Sequence, residues 1–200
     1  MAMIKNGRQT APTLDRIRED HVARYQLAID HARRNQLTTA VDIGTGTGYG
    51  AWMMAEAGLT VEAYEIDQSA IDYGQQHYYH DRLARIQADI ATLGIPQVDL
   101  LTGFEIVEHS SAAPAFLKRT SRYAKWLIAS VPNEDVVPFV TSKHRQHVRH
   151  YAPRQFRELL ECSGWAVVGL GCQVGKRGDA AEVAFNHTAG RTLIAVCRSK

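Results

Sequence analysis

VDIGTGTGYG, residues 41–50, sets four glycines at alternate positions behind an aspartate, Asp42. Thr39, Ala40 and Val41 lead into it as a buried strand, and the amphipathic YGAWMMAEAGL that follows reads as a helix. A strand turning through bare backbone into a helix is the start of a nucleotide-binding crossover. Dinucleotide sites use GxGxxG, in which helix-terminal amides face a pyrophosphate. Here the glycines fall at Gly44, Gly46, Gly48 and Gly50, so that spacing is absent. A carboxylate at Asp42 would repel pyrophosphate but suit a ligand that carries an ammonium group and no phosphate. S-adenosylmethionine has this chemistry, and a nicotinamide oxidoreductase is disfavoured on both counts.

Outward from this turn, apolar segments alternate between strand and helix character without repeats or low-complexity linkers. Strands are expected at TAVDI, TVEAYEI, RIQAD, VDLLTGF, KWLIASV, WAVVGLGC and RTLIAVC. Between the early ones lie helical segments such as QSAIDYGQQH and SAAPAFLKRTSRY, with Gln68-Ser69 and Ser110-Ser111 as starting caps. The expected fold is therefore α/β: a doubly wound, Rossmann-like, mostly parallel sheet of seven strands, with helices on both faces and an antiparallel last strand. The segment 171–192 before that last strand shows no convincing helix. Residues 13–35 read as an amphipathic helix, which makes 1–36 an N-terminal helical lid and 37–200 a single cofactor-binding domain.

Composition limits the alternatives. The 200 residues are 45% hydrophobic with a formal net charge of +2, so the whole surface offers nucleic acid or an acidic membrane no strong attraction. Mean hydropathy is −0.26. No apolar run is long enough to span a bilayer, and the polar N-terminus has no signal-like core, so the expected location is cytoplasmic. Three cysteines, Cys162, Cys172 and Cys197, lack CxxC spacing and argue against a disulfide framework or zinc site.

Nearly the whole chain resembles the class I S-adenosylmethionine-dependent methyltransferases. VDIGTGTGYG is similar to their first motif, and the resemblance implies cofactor contacts from Asp42, Gly44, Thr45, Gly46 and Gly48. VEAYEID ends in Glu65, about twenty residues past the first glycine, where an acid would accept the ribose hydroxyls. Asp67 then becomes an N-cap or outer residue. IQADI resembles the motif whose aspartate meets the adenine amino group, which implies Asp89, with Ile66 and Ile90 flanking the ring. Phe104 would pack beside the cofactor. DHVARYQLAI resembles the HxxRY helix of this group, with Arg24 or Tyr25 reaching the cofactor carboxylate.

The fourth strand continues into FEIVEHS, which places Glu105, Glu108 and His109 together. A similar ExxEH occurs in ubiquinone-pathway O-methyltransferases and in small-RNA 3′-end methyltransferases, where such residues hold a divalent metal. A bound cation lowers the pKa of a hydroxyl nucleophile and positions it, and carboxylate with imidazole suits Mg, Mn or Zn. His109 is the first candidate base, with Glu105 beside it. The segment 131–156 is long enough for a functional loop and carries His144, His147 and His150. Its HVRHYAPRQF portion resembles a substrate-covering segment of small-molecule and sugar-pathway methyltransferases. His147 is a second candidate for catalysis. The expected metal set is Glu105, Glu108, His109 and His144, with Mg or Mn.

No (D/N/S)PP(Y/F/W) or PC pair follows the fourth strand, which disfavours DNA amines and cytosine carbon as acceptors. The favoured reading is O-methylation of a small-molecule or saccharide hydroxyl, with no membrane partner. The second is metal-assisted 2′-O-methylation of an RNA 3′ end, and the third a non-catalytic scaffold.

Overall fold

The computed structural model describes residues 3–5, 8–142, 146–175 and 182–200. A short antiparallel hairpin of β1 (Met3–Lys5) and β2 (Arg8–Thr10) precedes the first helix, α1 (Glu19–Arg34). There follow β3 (Thr39–Ile43), α2 (Tyr49–Glu56), β4 (Thr60–Glu65), α3 (Gln68–His77), β5 (Leu83–Gln87) and β6 (Val98–Phe104). The second half holds α4 (Ala113–Thr120), β7 (Ala124–Pro132), α5 (Pro153–Cys162), β8 (Trp165–Val174), β9 (Glu182–Phe185) and β10 (Thr192–Ser199).

The main sheet runs β5-β4-β3-β6-β7-β10-β8-β9. The first five positions are parallel, whereas β10 pairs antiparallel with both β7 and β8. Side chains alternate across this sheet as the period of two requires. Val41, Ile43, Leu101, Leu127 and Leu193 enter one core with Phe116 and Leu117 of α4 and Phe156 and Leu160 of α5. Ala40, Leu100, Ile128 and Ile194 enter the other core with Ala28 and Ile29 of α1 and Met54 of α2. Both faces are therefore buried, as a parallel sheet demands. Trp165, fully buried, also donates its indole N–H to the Leu117 carbonyl at 3.1 Å, locking β8 to α4.

Three differences from the sequence reading have physical causes. The sheet has eight strands rather than seven, because Glu182–Phe185 adds an antiparallel edge strand to β8. The helix expected over 13–35 is divided: Leu14–Arg16 forms a 3-10 turn, Ile17 and Arg18 are extended, and α1 begins at Glu19. The caps also shift by a residue or more. Asp67, not Gln68-Ser69, caps α3 by accepting from the Ser69 amide, and Ser110 binds the Ala112 amide one turn before α4. The first 36 residues thus contribute both the hairpin and α1, whose Ala28, Ile29 and Ala32 are core.

Chain order reverses between β3 and β6, since β4 and β5 lie to one side of β3 and β6 and β7 to the other. Ligands in such sheets bind beyond the carboxyl ends of the strands at that switch point. Among the described residues, no helix is long and apolar enough to cross a membrane.

Candidate functional site

The loop after β3 depends on glycine because Gly44 and Gly46 hold φ of 65° and 60°, a region L side chains rarely adopt. A Cβ at Gly44 would also sit 2.6 Å from Ile106 Cδ1. Gly50 has a different duty: the Tyr25 ring lies where its Cβ would be, at 2.0 Å, so the bare position lets α1 pack on α2. Gly48 takes a left-handed conformation as the residue before α2.

Glu65 staples this loop to the end of β4. Its Oε2 accepts from the Gly46 amide at 2.9 Å, and its Oε1 accepts from the Ile66 and Asp67 amides at 3.0 and 3.1 Å. Arg8 adds a contact invisible in the sequence, donating Nη2 to Glu65 Oε1 at 2.8 Å and Nη1 to Asp67 Oδ2 at 3.1 Å. The strand carrying Arg8 is fixed in turn: the Thr47 hydroxyl donates to the Gln9 carbonyl and the Tyr78 hydroxyl to the Ala11 carbonyl.

A cavity of about 880 Å³ opens beyond the strand ends. One end is lined by Gly44, Thr45, Gly46, Glu65 and Ile66, its middle by Arg24, Tyr25 and Phe104, and its other end by Glu105, Glu108, His109 and His147. Four expected cofactor residues stand apart from this lining. Asp42 is wholly buried, its Oδ1 accepting from Thr102 at 2.6 Å and Oδ2 from Tyr25 at 3.1 Å. Its carboxylate therefore faces protein hydroxyls rather than the cavity, and burial pushes its pKa up to about 6 against the pull of those hydroxyls. Gly48 acts through the helix start, and Ile90 packs on the core. Asp89 is exposed and caps its own turn through the Ala91 amide at 2.8 Å.

The middle of the cavity holds a buried cation with one donor unused. Arg24 is 2% exposed, donates Nη1 to Gln173 Oε1 at 3.2 Å, and leaves Nε without a hydrogen-bond partner. Such a buried donor fits the carboxylate of an amino-acid ligand. Tyr25 meets Phe104 edge-to-face at 4.9 Å, giving this section an apolar floor.

At the far end, β6 stops at Phe104 and Glu105 adopts φ 53°, a strained backbone for a non-glycine residue. The Glu105 amide donates to the Ser130 carbonyl and its Oε1 accepts from the Ser130 hydroxyl at 2.9 Å, with Arg24 Nη1 3.8 Å away. The turn this creates carries Glu108 inward. Glu108 is fully buried with neither carboxylate oxygen hydrogen-bonded, and burial with the neighbouring Glu105 charge raises its pKa well above the usual range. Ligand atoms of Glu108, His109 and His147 all lie within 4.8 Å of one another.

This cluster differs from the expected metal set. Glu105 is turned to Ser130 and Arg24 rather than into the group, and His147 takes the place expected for a loop histidine. His144 lies outside the described residues. Sequence reading also missed Arg8, Gln173 and Ser130, which act through contacts distant in the chain. The donor set of one carboxylate and two imidazoles suits a divalent transition ion such as Mn(II), and a cation would complete Glu108, which has no hydrogen bond.

A mostly parallel sheet with a glycine loop, an acid-anchored β4 and a buried arginine beside its switch point is the arrangement that the resemblance to class I S-adenosylmethionine-dependent methyltransferases implies. Residues 17–170 match a family model described as a methyltransferase domain, and the chain belongs to that family. A probable S-adenosylmethionine-dependent methyltransferase of Mycobacterium tuberculosis is 29% identical over 133 residues, 64% of this chain and 47% of the relative. One from Mycolicibacterium smegmatis is 26% identical over 179 residues, 83% of this chain and 66% of that relative. The chain thus spans about half the length of the first of these. Among solved structures, small RNA methyltransferase HEN1 superposes with a TM-score of 0.72 at 18% identity, over 96% of this chain and 26% of that one. Magnesium protoporphyrin IX methyltransferase from Synechocystis PCC 6803 with bound SAH gives 0.67 at 17%, over 91% and 86%.

Proposed function

We propose that the chain is a metal-assisted O-methyltransferase acting on a hydroxyl of a small molecule or saccharide. The observation that carries this reading is Glu108, buried with neither oxygen hydrogen-bonded, its ligand atom within 4.8 Å of those of His109 and His147. A carboxylate left so is costly unless a ligand completes it.

In this reading the glycine loop and Glu65 seat the nucleoside, and Arg24 takes the amino-acid carboxylate. Asp42 supports both from beneath, through Tyr25. Glu108, His109 and His147 would hold a divalent cation, which would lower the pKa of the acceptor hydroxyl and orient it. When bound, S-adenosylmethionine supplies the methyl group: the acceptor oxygen bonds to the methyl carbon as the carbon–sulfur bond breaks and its electron pair returns to sulfur. The hydroxyl proton would pass to Glu105, a residue of the cavity lining that also accepts from the Ser130 hydroxyl. Without a cation, His109 is the base that the same geometry offers. The chain's main task is alignment, since the displacement is in line.

The test is methyl transfer from labelled cofactor to a panel of hydroxylated small molecules and saccharides, with Mn(II), with Mg(II) and with EDTA. Transfer that needs the cation supports the reading, and full rates in EDTA overturn it. A second reading, 2′-O-methylation of an RNA 3′ end, draws support from the same glutamate–histidine set together with the fold shared with HEN1. An RNA oligonucleotide with and without its terminal cis-diol separates the two acceptors.

A further inference from the structure

His147 does not stand alone in the acceptor end. Its Nδ1 lies 2.7 Å from His150 Nε2, and His150 Nδ1 lies 2.6 Å from the Val137 carbonyl oxygen. A carbonyl only accepts, so His150 Nδ1 carries the proton and donates to it. A neutral His150 then has its lone pair on Nε2, and His147 must donate to it from Nδ1. That leaves the lone pair of His147 on Nε2. We propose that His150 is a positioning residue that holds His147, whose ligand atom lies within 4.8 Å of those of Glu108 and His109, in this one tautomer.

The chain behind His150 is built to hold it still. His150 is 3% exposed, with the Phe139 ring edge-on at 5.5 Å. Its neighbour Tyr151 bridges to Asn133 at the end of β7, donating its amide to the Pro132 carbonyl and accepting from the Glu134 amide. The Val137 carbonyl is held from the same root. Asn133, wholly buried, accepts the Val137 amide at 2.7 Å and donates its side-chain amide to the Thr188 and Gly190 carbonyls, both at 2.8 Å. Further along, the Val148 amide donates to the Glu108 carbonyl at 2.8 Å, which ties the histidine loop to the turn bearing the buried glutamate. A rigid path therefore runs from the central sheet through Asn133, Val137 and His150 to His147. Glu134 Oε2 is 3.8 Å from His150 Nδ1, beyond hydrogen-bond distance. Ligating histidines are commonly oriented in this way by an acceptor on the other ring nitrogen.

The function of this relay rests on the metal reading above, but the tautomer does not, and two measurements keep them apart. Nitrogen-15 histidine NMR of the full chain without metal reads the tautomer directly, with His147→Asn used for assignment. The expected result is a protonated Nδ1 and an unprotonated Nε2 for His147. A proton on His147 Nε2 overturns the proposal, because a cationic or reversed His150 would produce that pattern. Calorimetric titration of Mn(II) supplies the second readout. His150→Phe keeps the bulk and removes the acceptor, and is expected to weaken Mn(II) binding about 10- to 100-fold while S-adenosylhomocysteine affinity is unchanged. His150→Gln restores an acceptor near the Nε2 position and is expected to recover most of that loss, which a merely structural residue would not do. Equal Mn(II) affinity in wild type and both variants overturns the proposal. If wild type shows the expected tautomer and no Mn(II) binding, the metal reading falls and the positioning by His150 stands.

Discussion

Glu65, the last residue of β4, and Glu108, in the turn after β6, are both buried glutamates at the strand-end side of the sheet, and the chain treats them in opposite ways. Glu65 accepts three backbone amides and an arginine. Glu108 accepts nothing on either oxygen. One acid is finished by the protein and shapes the glycine loop before any ligand arrives. The other is left for a ligand to finish, which is what a binding residue tuned for chemistry rather than stability looks like. The cofactor end is thus preorganised scaffold, and the acceptor end is an unmet electrostatic demand.

The largest expected effect breaks the acceptor end. Glu108→Gln keeps the shape and removes the group's ability to ionise and hold a cation; Mn(II) binding should disappear and methyl transfer fall by at least about 100-fold. Its thermal midpoint should stay close to wild type, because one buried polar group without hydrogen bonds replaces another. A midpoint well below wild type would mean that the carboxylate has a structural duty, and the contrast with Glu65 would collapse. Glu65→Gln should show the opposite pattern. Loss of charge-assisted bonds to three amides should weaken S-adenosylhomocysteine about 10- to 100-fold by calorimetry and lower the thermal midpoint, with Mn(II) affinity unchanged.

The same division shows in what the sequence made legible. VDLLTGF forms β6 residue for residue, because a strand covered on both faces reads as a mostly apolar run. The glycine loop, Glu65, and the pairing of Glu108 with His109 were readable because they are local in the chain. What was not readable is long-range. The Arg8–Glu65 pair spans 57 residues, and the Thr102–Asp42 bond that turns Asp42 from the cavity spans 60. Edge strand Glu182–Phe185 is four residues with an exposed Glu182 and Phe185, so its strand character comes from β8 rather than from its own pattern. His150 looked like any loop histidine until its contact with Val137 gave it a direction.

Asp42 sharpens the view of the cofactor end as scaffold. Burial raises its pKa from 3.8 to about 6. The folded state therefore binds more protons than the unfolded state between those values, so stability falls as pH rises through that window. The favourable contribution of the protonated form is complete below the unfolded pKa and lost above about pH 6. The shift corresponds to about 2 to 3 kcal/mol. Asp42→Asn should flatten this dependence, seen as a stability difference from wild type that changes by that amount between pH 4 and pH 7 in urea titrations. Parallel pH profiles for the two proteins would mean that Asp42 is ionised in the fold and partnered better than its two hydroxyl contacts indicate.

The smallest effect asks how finished Glu65 is. Arg8 donates to the very oxygen, Oε1, that also takes the Ile66 and Asp67 amides, so its guanidinium occupies the side of Glu65 expected to meet the ribose. Arg8 is part-exposed, and ion pairs of that kind contribute at most about 1 kcal/mol. Removing it should therefore leave the fold intact, held by the Gln9 and Ala11 carbonyl contacts, which are backbone and survive the substitution. If the arginine competes with the ribose hydroxyls, Arg8→Ala should bind S-adenosylhomocysteine several-fold more tightly, with no change in Mn(II) affinity. If affinity instead drops by a similar factor, Arg8 stays on Glu65 with the cofactor in place and acts as a clasp, which makes the hairpin part of the binding surface. Either sign assigns Arg8 to the cofactor end; an effect on Mn(II) alone would contradict the separation of the two ends.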